Sequence, residues 1–92
     1  MKQIYEFDKP NIQNVKTVTK IAKSANFDIS DATDISGLVI APNGMVAVEY
    51  DLNKDQVIIR PDNDLKLNGQ NISQFESDFK ACKALISAIY NI

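Results

Sequence analysis

The sequence predicts an α+β fold in two layers: an antiparallel sheet carrying two amphipathic helices, in the order β-α-β-β-β-α. Three observations carry this expectation. Asn43-Gly44 separates two β-branched runs, Gly37–Pro42 and Met45–Tyr50, and Asn-Gly between such runs is a strong hairpin signal. A second turn around Asn53-Lys54 adds a third strand and assigns the same residues to the same face. Near the C-terminus, Ile72, Phe75, Phe79, Cys82, Ile86 and Ile89 recur at spacings of 3, 4, 3, 4 and 3, one stripe of a helix.

Taken in order, Lys2–Phe7 alternates as a short strand, and Asp8-Lys9-Pro10-Asn11 ends it. Pro10 suits a helix start. Apolar residues at 12, 15, 18, 21/22 and 25 then form a helical stripe, with Lys16, Lys20 and Lys23 on the opposite side. Asn26–Ser36 is polar and rich in turn formers, and it is expected to be loop. A two-residue type I′ turn at Asn43-Gly44 sets Ala41 against Val46, Ile40 against Ala47 and Val39 against Val48. The next turn sets Tyr50 against Val57 and Val48 against Ile59. One face of this three-stranded meander therefore collects Val39, Ala41, Val46, Val48, Tyr50, Val57 and Ile59 as core. The other face carries Leu38, Ile40, Ala47, Glu49, Ile58 and Arg60, with Glu49 and Arg60 placed to pair. Asp62–Gln70 reads as loop. Ser73-Gln74-Phe75-Glu76 has the form of a capping box for the terminal helix, with Asn71 as an alternative cap.

Ninety-two residues make one domain, 1–92. No apolar run reaches the roughly 18 residues of a membrane span. Met1–Asp8 lacks the apolar stretch of a secretory signal, and the single cysteine, Cys82, cannot form an internal disulfide. The expectation is a cytoplasmic protein with no membrane partner.

The chain has no histidine, which removes the commonest general base and histidine metal ligation. With one arginine, Arg60, and no aromatic residues among the helix lysines, nucleic-acid binding is disfavoured. Cys82 lies on the apolar stripe and reads as a buried thiol. No catalytic, cofactor or metal residues are assigned: Asp51-x-Asn53-x-Asp55 begins like a calcium loop, but Gln56 stands where glycine is required.

Charge is segregated. Residues 1–27 carry five lysines against two acids, residues 28–64 eight acids against Lys54 and Arg60, and residues 65–92 three lysines against two acids. In the meander, Asp28, Asp31, Asp34, Asp51 and Asp55 are expected to share one pole. With the half-apolar face of Leu38, Ile40, Glu49, Ile58 and Arg60, they form the expected partner-binding surface.

Twelve isoleucines, nine asparagines and nine lysines against one arginine match AT-rich coding sequence, as in many phages. The functional expectation is a small non-enzymatic interaction protein, a phage or mobile-element factor that inhibits or modulates a host protein. The alternatives are a structural homo-oligomer, a homodimer through the outer sheet face, and a small enzyme working through carboxylates or a metal.

Overall fold

A computed structural model describes residues 5–6, 18–62 and 64–90. The elements are β1 (Tyr5–Glu6), α1 (Val18–Ser24), β2 (Asp28–Ala32), β3 (Ser36–Ile40), β4 (Val46–Asp51), β5 (Gln56–Pro61) and α2 (Ile72–Tyr90). A 3-10 turn, Leu52–Lys54, joins β4 to β5. Strands β2 to β5 form an antiparallel meander, and β1 pairs with β5 at Tyr5↔Ile59 and Glu6↔Ile58. The order across the sheet is thus β1-β5-β4-β3-β2. The remainder of the expected strand Lys2–Phe7, and of the expected helix before Val18, lies outside the described residues.

The α+β class and the central register agree with the sequence reading. Val39 pairs with Val48, Ile40 with Ala47, Val48 with Ile59 and Tyr50 with Val57. The alternation then sends all seven expected residues of one face into the core, each 3% exposed or less. Both helices lie on that face: Val18 and Ala22 of α1 and Cys82, Leu85, Ile86 and Ile89 of α2 join the same cluster.

The expectation of loop over Asn26–Ser36 is corrected, because Asp28–Ala32 is a strand and the order becomes β-α-β-β-β-β-α. Its ladder is irregular, pairing Asp28 with Ile40, then skipping to Asp31 with Leu38 and Ala32 with Gly37. Ser30 donates from its N–H and Oγ to Asp28 Oδ1, a local turn inside the strand. Only Ile29 and Ala32 reach the core. Polar residues and a bulge suit an edge strand, since they discourage pairing with another chain along that edge.

The Asn43-Gly44 hairpin keeps its register but not its expected turn type. Type I′ requires positive φ at both central residues, whereas Gly44 is positive at 76° and Asn43 is not. Instead Gly44 N–H donates to Ala41 O at 2.8 Å, which places Pro42 and Asn43 at the turn centre. Proline presets φ for the first of these positions.

Helix α1 ends in a Schellman motif. Asn26 is left-handed at φ 66°, Asn26 N–H donates to Lys23 O and Phe27 N–H donates to Ala22 O. Phe27 and Ala22 are both buried and belong to the same core cluster, where such a cap places apolar residues. The capping box at Ser73 does not form, because α2 begins at Ile72; the alternative, Asn71, stands immediately before the helix, and its carbonyl accepts from Phe75 N–H. Asn68 Oδ1 accepts from Gln70 N and Asn71 N, and Ile72 N donates to Asn68 O, so the Asn68 turn launches the helix.

Candidate functional site

The outer face of the sheet is built in rows by the ladder pairings. Arg60, Ala47, Ile40 and Asp28 form one row across β5, β4, β3 and β2. Ile58, Glu49, Leu38 and Asp31 form the next, with Gln56, Asp51 and Ser36 beyond them. An open groove runs over Asp31, Leu38, Glu49, Asp51, Ile58 and Arg60, and a smaller one over Ile40, Ala47 and Pro61 adjoins it through Leu38. Leu38, Ile40 and Ile58 are half-buried and Ala47 is buried. The face mixes apolar Leu38, Ile40, Ala47 and Ile58 with Glu49 and Asp51 on the central strand β4 and with Arg60, Asp28 and Asp31 on β5 and β2.

Arg60 forms an ion pair with Glu49 through Nη1 and Oε1, the diagonal contact expected from the register. The arginine side chain is 24% exposed and the glutamate 44%. A pair this open to solvent contributes about 0–1 kcal/mol. Its main effect is to lay the guanidinium along the face.

The single acidic pole does not form. Asp34 and the β4–β5 turn with Asp51 and Asp55 share one end of the sheet, as expected. Asp28 pairs with Ile40 and so stands at the other end, and Asp31 is intermediate, opposite Leu38. The misplacement follows directly from reading β2 as loop, since a strand carries the chain the length of the sheet.

Three of the five carboxylates hold local structure. Asp34 Oδ1 accepts from Thr19 N–H at 3.0 Å and from Thr19 Oγ1 at 2.7 Å, tying the start of α1 to the β2–β3 turn. These bonds, the hydroxyl's first, hold its carboxyl below the usual carboxylate range. The Ser30 hydroxyl and then the Ser30 N–H do the same for Asp28. Asp51 Oδ1 accepts from Asn53 N and Lys54 N and caps the 3-10 turn. Asp31 and Asp55 are exposed, and Asp55 is left-handed at φ 52°. Among the described residues no cluster of acids or cysteine is arranged to hold a metal ion.

Besides the buried Asp78, the thiol of Cys82 and the phenol of Tyr50 lie in the described core, and both are held protonated. Cys82 is fully buried, and burial, followed by the charge of Asp78, pushes its thiol up to about 12. Burial, followed by the charge of Asp34, pushes the Tyr50 phenol up to about 12, and its hydroxyl donates to Thr33 O.

No known family model, no curated protein and no solved structure matches this chain.

The sequence reading passed over Asp78, which is 1% exposed. It lies 3 residues after Phe75 and 4 before Cys82, on the apolar stripe itself. An acid in such a stripe is the signal, because a buried carboxylate requires hydrogen-bond donors from elsewhere in the fold. Those donors are Asn43 N, Asn43 Nδ2 and Met45 N. No helix among the described residues is long and apolar enough to cross a membrane.

Proposed function

We propose that this chain is a non-enzymatic protein-interaction module whose contact surface is the outer face of its sheet. The observation that carries this reading is the one-sidedness of the packing among the described residues. Both helices pack on the inner face, while Leu38, Ile40, Ala47 and Ile58 line the outer face with no described helix over them. Contiguous apolar surface of this kind costs solubility and is retained mainly where another molecule covers it. Glu49 within that face and Arg60, Asp28 and Asp31 beside it give such a contact its register.

The acidic contribution comes from Asp28 and Asp31 along β2 and from Asp51 at the rim, in place of a single pole. The lack of histidine and the protonated, buried Cys82 and Tyr50 favour binding over catalysis. The AT-rich composition favours a phage or mobile-element factor that modulates a host protein by occupying one of its surfaces.

The test is affinity capture with the intact chain, compared with Ile40→Lys on the outer face and Lys20→Glu on α1. A partner retained by the wild type and by Lys20→Glu, and lost with Ile40→Lys at unchanged melting temperature, supports the reading. A partner retained equally by all three removes the outer face as the contact surface.

A further inference from the structure

We infer that Asn68-Gly69 is a site of spontaneous covalent modification. The Asn68 amide cyclises onto the Gly69 nitrogen and then hydrolyses to aspartate and isoaspartate. Asp78 holds the other Asn-Gly pair, Asn43-Gly44, unreactive. The site lies just before α2, apart from the outer face of the sheet.

The chemistry needs only water. The Gly69 amide nitrogen, after losing its proton to water or hydroxide, attacks Asn68 Cγ. The N–Cγ bond forms and the carbonyl electron pair moves to Oδ1. Collapse of that intermediate breaks the Cγ–Nδ2 bond, and Nδ2 takes a proton from water and leaves as ammonia. Water then opens the cyclic imide. Cleavage at Cγ gives aspartate, and cleavage at the former main-chain carbonyl gives isoaspartate. In sum, one water is consumed and one ammonia released. Glycine favours the attack because no Cβ crowds the nitrogen and its backbone turns freely.

The surroundings of Asn68 favour this step. Asn68 and Gly69 are both exposed. Asn68 Oδ1 accepts from Gln70 N at 2.8 Å and from Asn71 N at 3.1 Å, so the side chain folds back along its own backbone, across the Gly69 amide. Those two donors face the oxygen on which negative charge develops, as in an oxyanion hole. Among the described residues, neither Gly69 N–H nor Asn68 Nδ2 has a hydrogen-bond acceptor. The attacking and the leaving nitrogen are thus both unrestrained.

Asn43-Gly44 has the opposite arrangement. Gly44 N–H donates to Ala41 O at 2.8 Å, which engages the attacking nitrogen. Asn43 N–H and Nδ2 both donate to Asp78 Oδ1, and Met45 N–H donates to Oδ2, which fixes the residues on either side of Gly44. Asp78 is 1% exposed, and attack on Asn43 Cγ requires these charge-assisted bonds to open. Opening a local, exposed turn takes less than opening a buried tertiary contact.

The two products act differently on α2. Aspartate keeps acceptor oxygens for Gln70 and Asn71 and adds negative charge before the helix, where the dipole favours it. Isoaspartate inserts a methylene into the main chain. It also takes Asn68 O, which accepts from Asn71 N and Ile72 N, out of the backbone path. The first N–H groups of α2 then lose their acceptor.

Incubation of the full chain at mildly alkaline pH, followed by brief digestion with trypsin and mass spectrometry, tests the inference. Cleavage after Lys66 and Lys80 isolates Asn68, and cleavage after Lys23 and Lys54 isolates Asn43. In the folded protein Asn68 is expected to convert at least about tenfold faster than Asn43, since the Asp78 contacts must open first. In concentrated urea the two rates should become similar. Gly69→Ala, whose added Cβ meets nothing within 4 Å, should fold as wild type and slow conversion at Asn68 severalfold. Asp78→Ala, measured where circular dichroism shows it folded, should speed Asn43 and leave Asn68 unchanged. An Asn68 that converts in urea but not in the folded protein would overturn the site, as would equal native rates at the two pairs. A Gly69→Ala rate equal to wild type, or aspartate formed without isoaspartate, would overturn the cyclisation. An Asn43 indifferent to Asp78→Ala would overturn the protective role of Asp78.

Discussion

Asp78 and Asn43, 35 residues apart, are joined by two hydrogen bonds to one oxygen. Asn43 N–H and Asn43 Nδ2 each donate to Asp78 Oδ1 at 3.0 Å. The second oxygen, Oδ2, accepts from Met45 N at 2.9 Å. One carboxylate on α2 thereby fixes the hairpin loop between β3 and β4 and docks the helix at that end of the sheet. It also explains the turn type, because this acceptor satisfies donors that an isolated Asn-Gly hairpin would leave to water.

Removing that acceptor has a graded cost. Asp78→Ala leaves three loop donors without their acceptor and is expected to cost about 2–4 kcal/mol, given the usual strength of charge-assisted bonds. Asp78→Asn can keep an acceptor oxygen for Asn43 but puts an amide N–H₂ toward Met45 N–H, and about 1–2 kcal/mol is expected. Urea denaturation of the three proteins measures the order. Equal stability of all three would remove the carboxylate from the account of this loop.

Gly37 and Gly44 both have positive φ but differ in surroundings. A Cβ at Gly37, where φ is 138°, would lie 2.5 Å from Asp31 O and 2.8 Å from Ala32 Cα. Those are backbone atoms of β2 and cannot turn aside. A Cβ at Gly44, where φ is 76°, meets nothing within 4 Å. Gly44→Ala should therefore cost only the left-handed penalty, about 1 kcal/mol. Gly37→Ala should cost about 3 kcal/mol or more and should loosen β2. Hydrogen exchange at the β2 amides distinguishes a local effect from a global one.

Asp34 makes stability depend on acid. Its folded pKa lies below the ordinary carboxylate value because Thr19 bonds the ionised form. A depressed pKa contributes stability that is complete above the unfolded value, about 4, and is lost as pH falls through the folded one. Asp34→Asn cannot titrate there. Thermal melts from pH 7 down to about pH 2 should show wild type more stable above about pH 4, with the gap closing below it. A gap independent of pH would mean that the Thr19 contacts do not discriminate the charged form.

The parts of the fold legible in the sequence are those where local and long-range signals agree. Val39, Val48, Tyr50, Val57 and Ile59 alternate with period two, and two separate turns place them on one face, so core and register followed together. β2 was not legible, because Asp28, Ser30 and Asp31 read as turn residues and only Ile29 and Ala32 serve the core. An edge strand is allowed that composition precisely where it needs few buried residues, and propensity undervalues it. The location of Asp28 depended on that strand and was missed with it. The Asp78–Asn43 contact joins distant residues, and only an acid set within an apolar stripe pointed to it. Asn26, by contrast, stands at the end of a helical stripe where a left-handed cap is common, a signal carried by the sequence itself.

Cys82 should report on opening of the core. Its thiol is pushed up to about 12 by burial and by the Asp78 charge, above its ordinary value of 9.0. At pH 8 the native thiolate fraction is about a thousandfold below that of a free cysteine, before steric protection is counted. Labelling by a thiol reagent should therefore proceed through unfolded or opened molecules, and its rate should rise with urea in step with loss of structure. The raised pKa also predicts a loss of stability as pH climbs from about 9 toward 12, since the unfolded chain ionises first. Cys82→Ala lacks that component, so its stability deficit relative to wild type should shrink over this range. Tyr50, raised likewise, adds the same alkaline slope to both proteins. Labelling of the native protein at the rate of free cysteine would contradict the buried position of Cys82, and a pH-independent deficit would contradict its raised pKa.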